Sequence, residues 1–307
     1  MTEEAISRDF AIVGYYQSWG SEDNRFDSVW ATEIAAGGAV PLITWEPWQP
    51  VAGYDRSEDM VRQPGYRMTE IAAGTFDPYI REYAQSVRRY GKPVMIRFAH
   101  EMNGNWYPWG GTFNTPAEYV LAWRRVHEIF GSAGATNVTW VWSPNEIYTE
   151  SRVPLADKID AFYPGDDYVD WVGLSAFNWA GYYKSNVWRD PEMIYTRTVS
   201  ALARYGKPIM ISETGSAGIR GRPERKAAWI RSLGTYLKGH PEVKAFVWFN
   251  ASDNGIDWTV TDTADSLMSF SDMSRDAYFV SGAQFEKRAA LSCRDMSRLA
   301  AFAGCRS

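Results

Sequence analysis

Cysteine is nearly absent from this chain of 307 residues: Cys293 and Cys305 are the only two, both in the last 15 positions. Two cysteines make no disulfide framework, so the fold must rest on its core; one bridge closing a short tail loop and a pair of thiols both stay open. Histidine is scarce, with His100, His127 and His240 the only three, and a zinc site needs three or four well-placed ligands. No apolar run approaches the roughly 20 residues that cross a bilayer. The opening MTEEAISRDF carries no basic segment leading into an apolar one, so no export signal is visible in it. Basic charge is not in excess either; a net charge of −5 points away from nucleic acid. The phosphate turns G-x-G-x-x-G and Walker A are missing, which removes the usual signature of a nucleotide-binding sheet. No G-x-S-x-G elbow is present, so acyl transfer has no nucleophile to recommend it.

What is abundant is apolar and aromatic. Hydrophobic residues make up 45% and charged residues 22%, enough for a large core and against disorder. The 15 tryptophans and 18 tyrosines exceed what such a core needs. Part of them must be core, but Trp45, Trp48, Trp106, Trp109, Trp142, Trp179, Trp248 and Trp258 fall where strands are expected to end, where rings can stack on the flat faces of sugars.

Short apolar segments alternate with helical patterns. The expected strands are 11–16, 40–45, 94–99, 138–142, 171–175, 208–212 and 245–249, and their near-continuous apolar runs suit strands buried on both faces. Asp77-Pro78 reads as the cap and first residue of a helix that Gly91 stops. Thr115-Pro116-Ala117-Glu118 reads as a capping box for a helix to about Phe130, ended by Gly131. A further helix covers 225–237. This alternation predicts a parallel sheet, and functional residues at the tips of many strands favour an α/β fold of the (β/α)8 TIM-barrel type over an open sheet. Seven strands leave one place open. Either the first strand is incomplete or atypical, or AYFVSG at 277–282 helps to close the barrel. The expected organisation is a catalytic domain over 1–275 with a C-terminal extension, 276–307, packed on it.

Two stretches nearly repeat. RYGKPVMI at Arg89–Ile96 runs on through RFAHE to Glu101, and RYGKPIMI at Arg204–Ile211 runs on through SE to Glu213. Each is a helix end, a turn, an apolar strand and then a carboxylate. Two carboxylates presented by two strands of one sheet are what glycosidic cleavage requires. Glu101 lies among Arg97, His100, Asn103, Trp106, Tyr107 and Trp109; partial desolvation by aromatics favours the protonated form that a general acid needs. Glu213, between Ser212 and Thr214, suits an ionised nucleophile held by hydroxyls and backbone N–H groups. Arg97 is expected to hold a carboxylate in its charged form. Glu46 and Glu146 also end strands and stay open as sugar ligands or as members of the pair. His100-Glu101 is the start of H-E-x-x-H, but position 104 is Gly, so no metal is expected; nor is any cofactor.

At RFAHEMNGNWYPWG (Arg97–Gly110) the chain resembles glycoside hydrolase family 26, retaining enzymes on (β/α)8 barrels. Further marks are ITWEPW at 43–48, GATNVTWVWSPN at 134–145, YPGDDYVDWVGL at 163–174, FNW at 177–179, KPIMISETG at 207–215, VWFN at 247–250 and DW at 257–258. The resemblance implies Glu101 as acid/base and Glu213 as nucleophile. It also implies a sugar site shaped by Arg97, His100, Trp106 and Trp248, and a cleft loop carrying Asn178 and Trp179; Trp45 and Glu46 are added as substrate-binding residues. The WEPW segment points to the branch acting on β-1,3-1,4-glucan (lichenase-like). A β-1,4-mannanase and a bacterial exopolysaccharide hydrolase of the same fold are the alternatives, and a non-catalytic carbohydrate-binding barrel is the competing class. Relatives usually carry Asp and Tyr where this chain has Ser175 and Phe177, which leaves the sugar open. The expected protein is a secreted or cell-surface monomer acting on a polysaccharide, with no nucleic-acid partner.

Overall fold

A computed structural model of the chain describes residues 2–6, 8–51, 61–147, 158–180, 182, 187–253, 255–282 and 300–305. The apolar segments form the strands Ile12–Ser18 (β1), Val40–Glu46 (β2), Val94–Phe98 (β3), Val138–Trp142 (β4), Trp171–Asn178 (β5), Ile209–Ser216 (β6) and Val243–Phe249 (β7). A short hairpin, Ser252–Asp253 (β8) and Ile256–Asp257 (β9), follows, then Phe279–Val280 (β10) and Ala300–Cys305 (β11). The helices are Thr2–Ile6 (α1), Ser28–Ala36 (α2), Met68–Ala73 (α3), Asp77–Tyr90 (α4), Pro116–Ala133 (α5), Pro191–Ala203 (α6), Pro223–Gly239 (α7) and Ala264–Arg275 (α8).

Strands β1 to β7 follow one another in chain order through one sheet, and β11 lies beside β7 and pairs with β1. The fold is a (β/α)8 barrel. The eighth place is filled by the C-terminal segment: Ala301 stands opposite Ala245 on β7 and Ala303 opposite Ile12 on β1, both in parallel register. Of the AYFVSG stretch only Phe279–Val280 is strand, paired to the start of β11. Cys293, and with it any pairing to Cys305, lies outside the described residues. Among the described residues no helix is long and apolar enough to cross a membrane.

Local chemistry explains the helix ends. In α5 the Thr115 hydroxyl accepts from Glu118 N and the Glu118 carboxylate accepts from Thr115 N at 2.6 Å, the expected reciprocal cap. The helix then continues past Gly131 to Ala133, and the left-handed residue that ends it is Gly134, φ 73°. Asp77 is not a cap. It is the first residue of α4, and its carboxylate takes two 2.7 Å bonds from Arg125. That pairing, chiefly the hydrogen bond, holds the Asp77 carboxyl below its ordinary pKa. Both RYGKP turns place their glycine in the left-handed region, Gly91 at φ 73° and Gly206 at φ 64°, where a Cβ would be strained.

Packing divides the chain into two compact units, one of Met1–Tyr15, Glu33–Pro41 and Gly173–Ser307, the other of Tyr16–Thr32 and Leu42–Val172. The core of the second unit is aromatic: Trp45 meets Trp19, Tyr83 and Phe130 at 4.8, 4.5 and 5.8 Å between ring centroids. In the first unit Trp248 meets Trp229 and Phe270 at 5.9 and 5.4 Å. Each such buried ring contributes several times the ~0.8 kcal/mol of a buried methylene, which accounts for much of the tryptophan.

Candidate active site

The second unit carries Glu101 just beyond β3. The chain leaves that strand under strain, with Ala99 at φ 43° and Glu101 at φ 54°, a region that residues with a Cβ rarely occupy. Neighbouring elements hold it there. Ala99 N donates to Trp45 O at 3.1 Å, Glu101 N donates to Ser143 O at 2.8 Å, and the Tyr119 hydroxyl donates to Ala99 O at 3.1 Å. The Glu101 side chain is 7% exposed, and the Trp106 indole donates to its Oε2 at 2.6 Å. Gly104 makes this possible: a Cβ there would stand 2.5 Å from the Trp106 ring, so the position where H-E-x-x-H needs its second histidine is the floor under an indole.

The loop from Glu101 to Asn114 is stiffened by two buried asparagines, Asn103, which the sequence places beside Glu101, and Asn114, to which it gives no role. Asn103 and Asn145 exchange bonds, Nδ2 to Asn145 O at 3.1 Å and Asn145 N to Oδ1 at 2.8 Å. Asn114 Nδ2 donates to Pro108 O at 2.7 Å while its Oδ1 accepts from Met68 N at 2.9 Å. A signal existed: asparagines beside a candidate acid are natural loop braces, because their amides satisfy backbone groups locally.

Arg97 and His100 are both buried. The His100 ring packs on Tyr107 at 4.9 Å and Trp109 at 5.8 Å, and the Trp109 indole donates to His100 O at 2.5 Å. Burial first, and the Arg97 charge second, push the His100 pKa well below its ordinary value. The folded protein therefore keeps a neutral ring where the unfolded chain, with its usual pKa of about 6.5, takes up a proton. Stability from this site is complete above that value and declines as pH falls below it, by up to ~1.4 kcal/mol per pH unit. The stability difference between His100→Gln and wild type should accordingly shrink between pH 7 and pH 5 in urea unfolding. An unchanged difference would place a charged ring in the fold.

Glu46 is buried at the end of β2, where its Oε2 accepts from Ser18 Oγ at 2.9 Å and from the Trp48 indole at 3.2 Å. Glu146 is buried as well.

The first unit carries Glu213, 8% exposed. It lies inside the extended run of β6 rather than past its end. Register against β7 shifts at that point: Ile211 faces Phe246 and Thr214 faces Trp248, so Ser212 and Glu213 together oppose Val247. Such a bulge re-aims a side chain out of the strand's alternation. The strand around it is anchored by Ser212 Oγ donating to Leu174 O at 3.0 Å and by Thr214 meeting the Tyr195 hydroxyl at 2.5 Å. Asn178 is buried; its Nδ2 donates to Ser216 Oγ at 3.0 Å and its Oδ1 accepts from Arg189 N at 3.1 Å, which fixes the loop bearing Trp179.

Two residues expected to bind sugar belong to the core instead. Trp45 and Trp248 are both 0% exposed, so neither has a ring face to offer a substrate. Of the eight tryptophans assigned to strand ends, six are buried, and only Trp106 and Trp179 remain partly exposed. Tyr107, Phe177 and Phe249 are partly exposed with them in their respective units.

Comparison with known proteins is consistent across sequence and fold. The family model described as Glycosyl hydrolase family 26 matches residues 31–216. Endoglucanase H of Acetivibrio thermocellus is 31% identical over 274 residues, 87% of this chain and 28% of that protein. Mannan endo-1,4-beta-mannosidase A and B of Caldalkalibacillus mannanilyticus is 36% identical over 132 residues, 41% of this chain and 22% of that protein. The chain spans less than a third of the length of either relative. Among solved structures, a Cellulomonas fimi endo-beta-1,4-mannanase double mutant matches in fold with a TM-score of 0.66 at 20% identity, covering 99% of this chain and 70% of that one.

Proposed function

The chain belongs to glycosyl hydrolase family 26, and from that membership we propose that it is a retaining endo-β-glycanase with Glu213 as nucleophile and Glu101 as acid/base. The observation that carries the roles is the backbone at each carboxylate. Glu101 is held at positive φ under an indole donor, and Glu213 sits on a bulge; strain and bulges are retained where a side chain has to be aimed.

In the first step the Glu213 carboxylate attacks the anomeric carbon while Glu101 gives its proton to the departing glycosidic oxygen. Because Oε2 of Glu101 already accepts the Trp106 N–H, the transferable proton resides on Oε1. In the second step Glu101, now a carboxylate, removes a proton from water as that water attacks the anomeric carbon, and Glu213 leaves. Two inversions give net retention, which requires the carboxyl groups to stand about 5–5.5 Å apart. Trp106 and Trp179 offer the exposed ring faces for sugars.

A β-glucan, mixed-linkage glucan among them, is one substrate of this reading, because the relative named an endoglucanase is matched along 87% of the chain. β-1,4-Mannan stands beside it, because identity rises to 36% along the shorter match to a mannan endo-1,4-beta-mannosidase. Glucose and mannose differ at one hydroxyl, and loop geometry decides which fits. The test is reducing-end release from mixed-linkage glucan, mannan, β-1,3-xylan and bacterial gums, with the anomer of the first product followed by NMR. Oligosaccharides that appear first as the β-anomer are expected. Silence on every polymer, or an α-anomer, overturns the reading.

A further inference from the structure

Lys226, on α7, is the one lysine among the described residues whose side chain is fully buried. The mechanism above gives it no task. Its ammonium donates to the carbonyls of Asp257 at 3.3 Å and Thr259 at 2.7 Å and to Asp262 Oδ2 at 3.1 Å. The two carbonyls flank Trp258, so the cation clamps the backbone on both sides of that residue. A buried ammonium is costly unless paired and hydrogen-bonded, and here every bond it makes goes to one loop.

That loop is pinned from its other side too. Trp258 N donates to Ala251 O at 3.1 Å, Trp258 O accepts the Trp248 indole at 2.8 Å, and Val260 N donates to Asn250 Oδ1 at 2.9 Å. The Trp258 ring is thereby set 4.9 Å from Phe177 and 5.0 Å from Trp179. It also descends onto Gly215, two residues past Glu213, where an added Cβ would come within 3.2 Å of it. Phe177, Trp179 and Phe249 pack on this cluster and are only partly buried, so they present an aromatic rim; behind it the Arg189 guanidinium donates to Phe177 O at 3.1 Å.

We propose that Lys226 is a positioning residue: from α7 its ammonium sets Trp258 against β6 and so fixes the rim of Phe177, Trp179 and Phe249 on which the apolar face of a pyranose ring stacks. This rests on the glycanase reading with Glu213 as nucleophile. Stacking on a rim is made in the ground state and the transition state alike, so its loss falls on KM more than on kcat.

The test is a double-mutant cycle on the polymer that wild type cleaves, run well below the thermal midpoint of every variant. Lys226→Met should raise KM about 10-fold with kcat changed less than about threefold, an effect of the size expected when a binding surface shifts. Trp258→Ala should do the same, and the double variant should be no worse than Trp258→Ala, because the lysine acts through that ring. Multiplying effects, a loss confined to kcat, or a Lys226→Met enzyme at wild-type KM each overturns the proposal. If Lys226→Met does not fold, Lys226→Gln takes its place; its shorter, uncharged amide cannot keep both carbonyl bonds, so it should raise KM in the same direction, and a wild-type KM there overturns the proposal equally. A wild type inactive on every glycan fails the glycanase reading itself, whereas an active wild type with silent variants fails only the role of Lys226.

Discussion

Glu213→Ala should lower kcat by about 10⁵-fold or more, the scale on which loss of a covalent nucleophile is felt in enzymes. Without the carboxylate no glycosyl ester forms, and the water that the second step uses approaches from the wrong face. The truncation leaves a space on the nucleophile's side of the ring, which a small anion can enter. Azide added to this variant should restore part of the rate and give a glycosyl azide of inverted configuration, α from a β-linked substrate. That product cannot arise from general loss of folding, so it separates the chemical role from a structural one. In wild type, a 2-deoxy-2-fluoro glycosyl fluoride of the matching sugar should label Glu213, read as a single added glycosyl mass on its peptide. A Glu213→Ala enzyme at wild-type rate, or a label on another carboxylate, removes Glu213 from the mechanism.

Glu101→Ala should be the second largest loss, about 10²- to 10⁴-fold on a polysaccharide, as for removal of a general acid–base group. Its dependence on the leaving group is the more telling measurement. An alkoxide departing from a sugar polymer needs a proton, which in the proposed mechanism Glu101 supplies; a phenolate of low basicity does not. On an aryl glycoside with such a phenol the first step should therefore survive while the second, which needs Glu101 as base, becomes slow. The expected record is a burst of phenol of one equivalent per enzyme followed by a slow steady rate. Azide should accelerate that steady rate and give the β-azide, the opposite anomer to that from Glu213→Ala. Equal losses on polysaccharide and on the activated aryl glycoside would mean that Glu101 is not the acid. Trp106→Phe, which removes the 2.6 Å bond to Oε2, bears on the same carboxylate without replacing it.

Much of this was readable along the chain because it depends on neighbours in sequence. The RYGKP turn requires a left-handed glycine, an apolar run follows it, and a carboxylate follows the run; all are local statements, and they hold at Gly91 and Gly206. The capping box at Thr115 is equally local. Where local rules compete, the sequence misleads. Gly131 and Gly134 are both credible helix ends, and the choice between them falls to the bonds that close the last turn, from Gly134 N to Gly131 O and from Ala135 N to Phe130 O. Asp77 is a good cap by residue type, but Arg125, 48 positions away, holds its carboxylate more strongly.

The sequence by itself determined the alternation of strand and helix, and the placing of Glu101 and Glu213 near strand ends, since propensity, turn chemistry and apolar period act within a few residues. Only the tertiary structure decided which tryptophans are core and which are rim, that β11 fills the eighth place, that a bulge re-aims Glu213, and that Lys226 lies beneath Trp258. Burial of a ring, register between strands and pairing of a buried cation all depend on partners brought together by folding from distant parts of the chain, and no window of sequence contains both halves of such a contact.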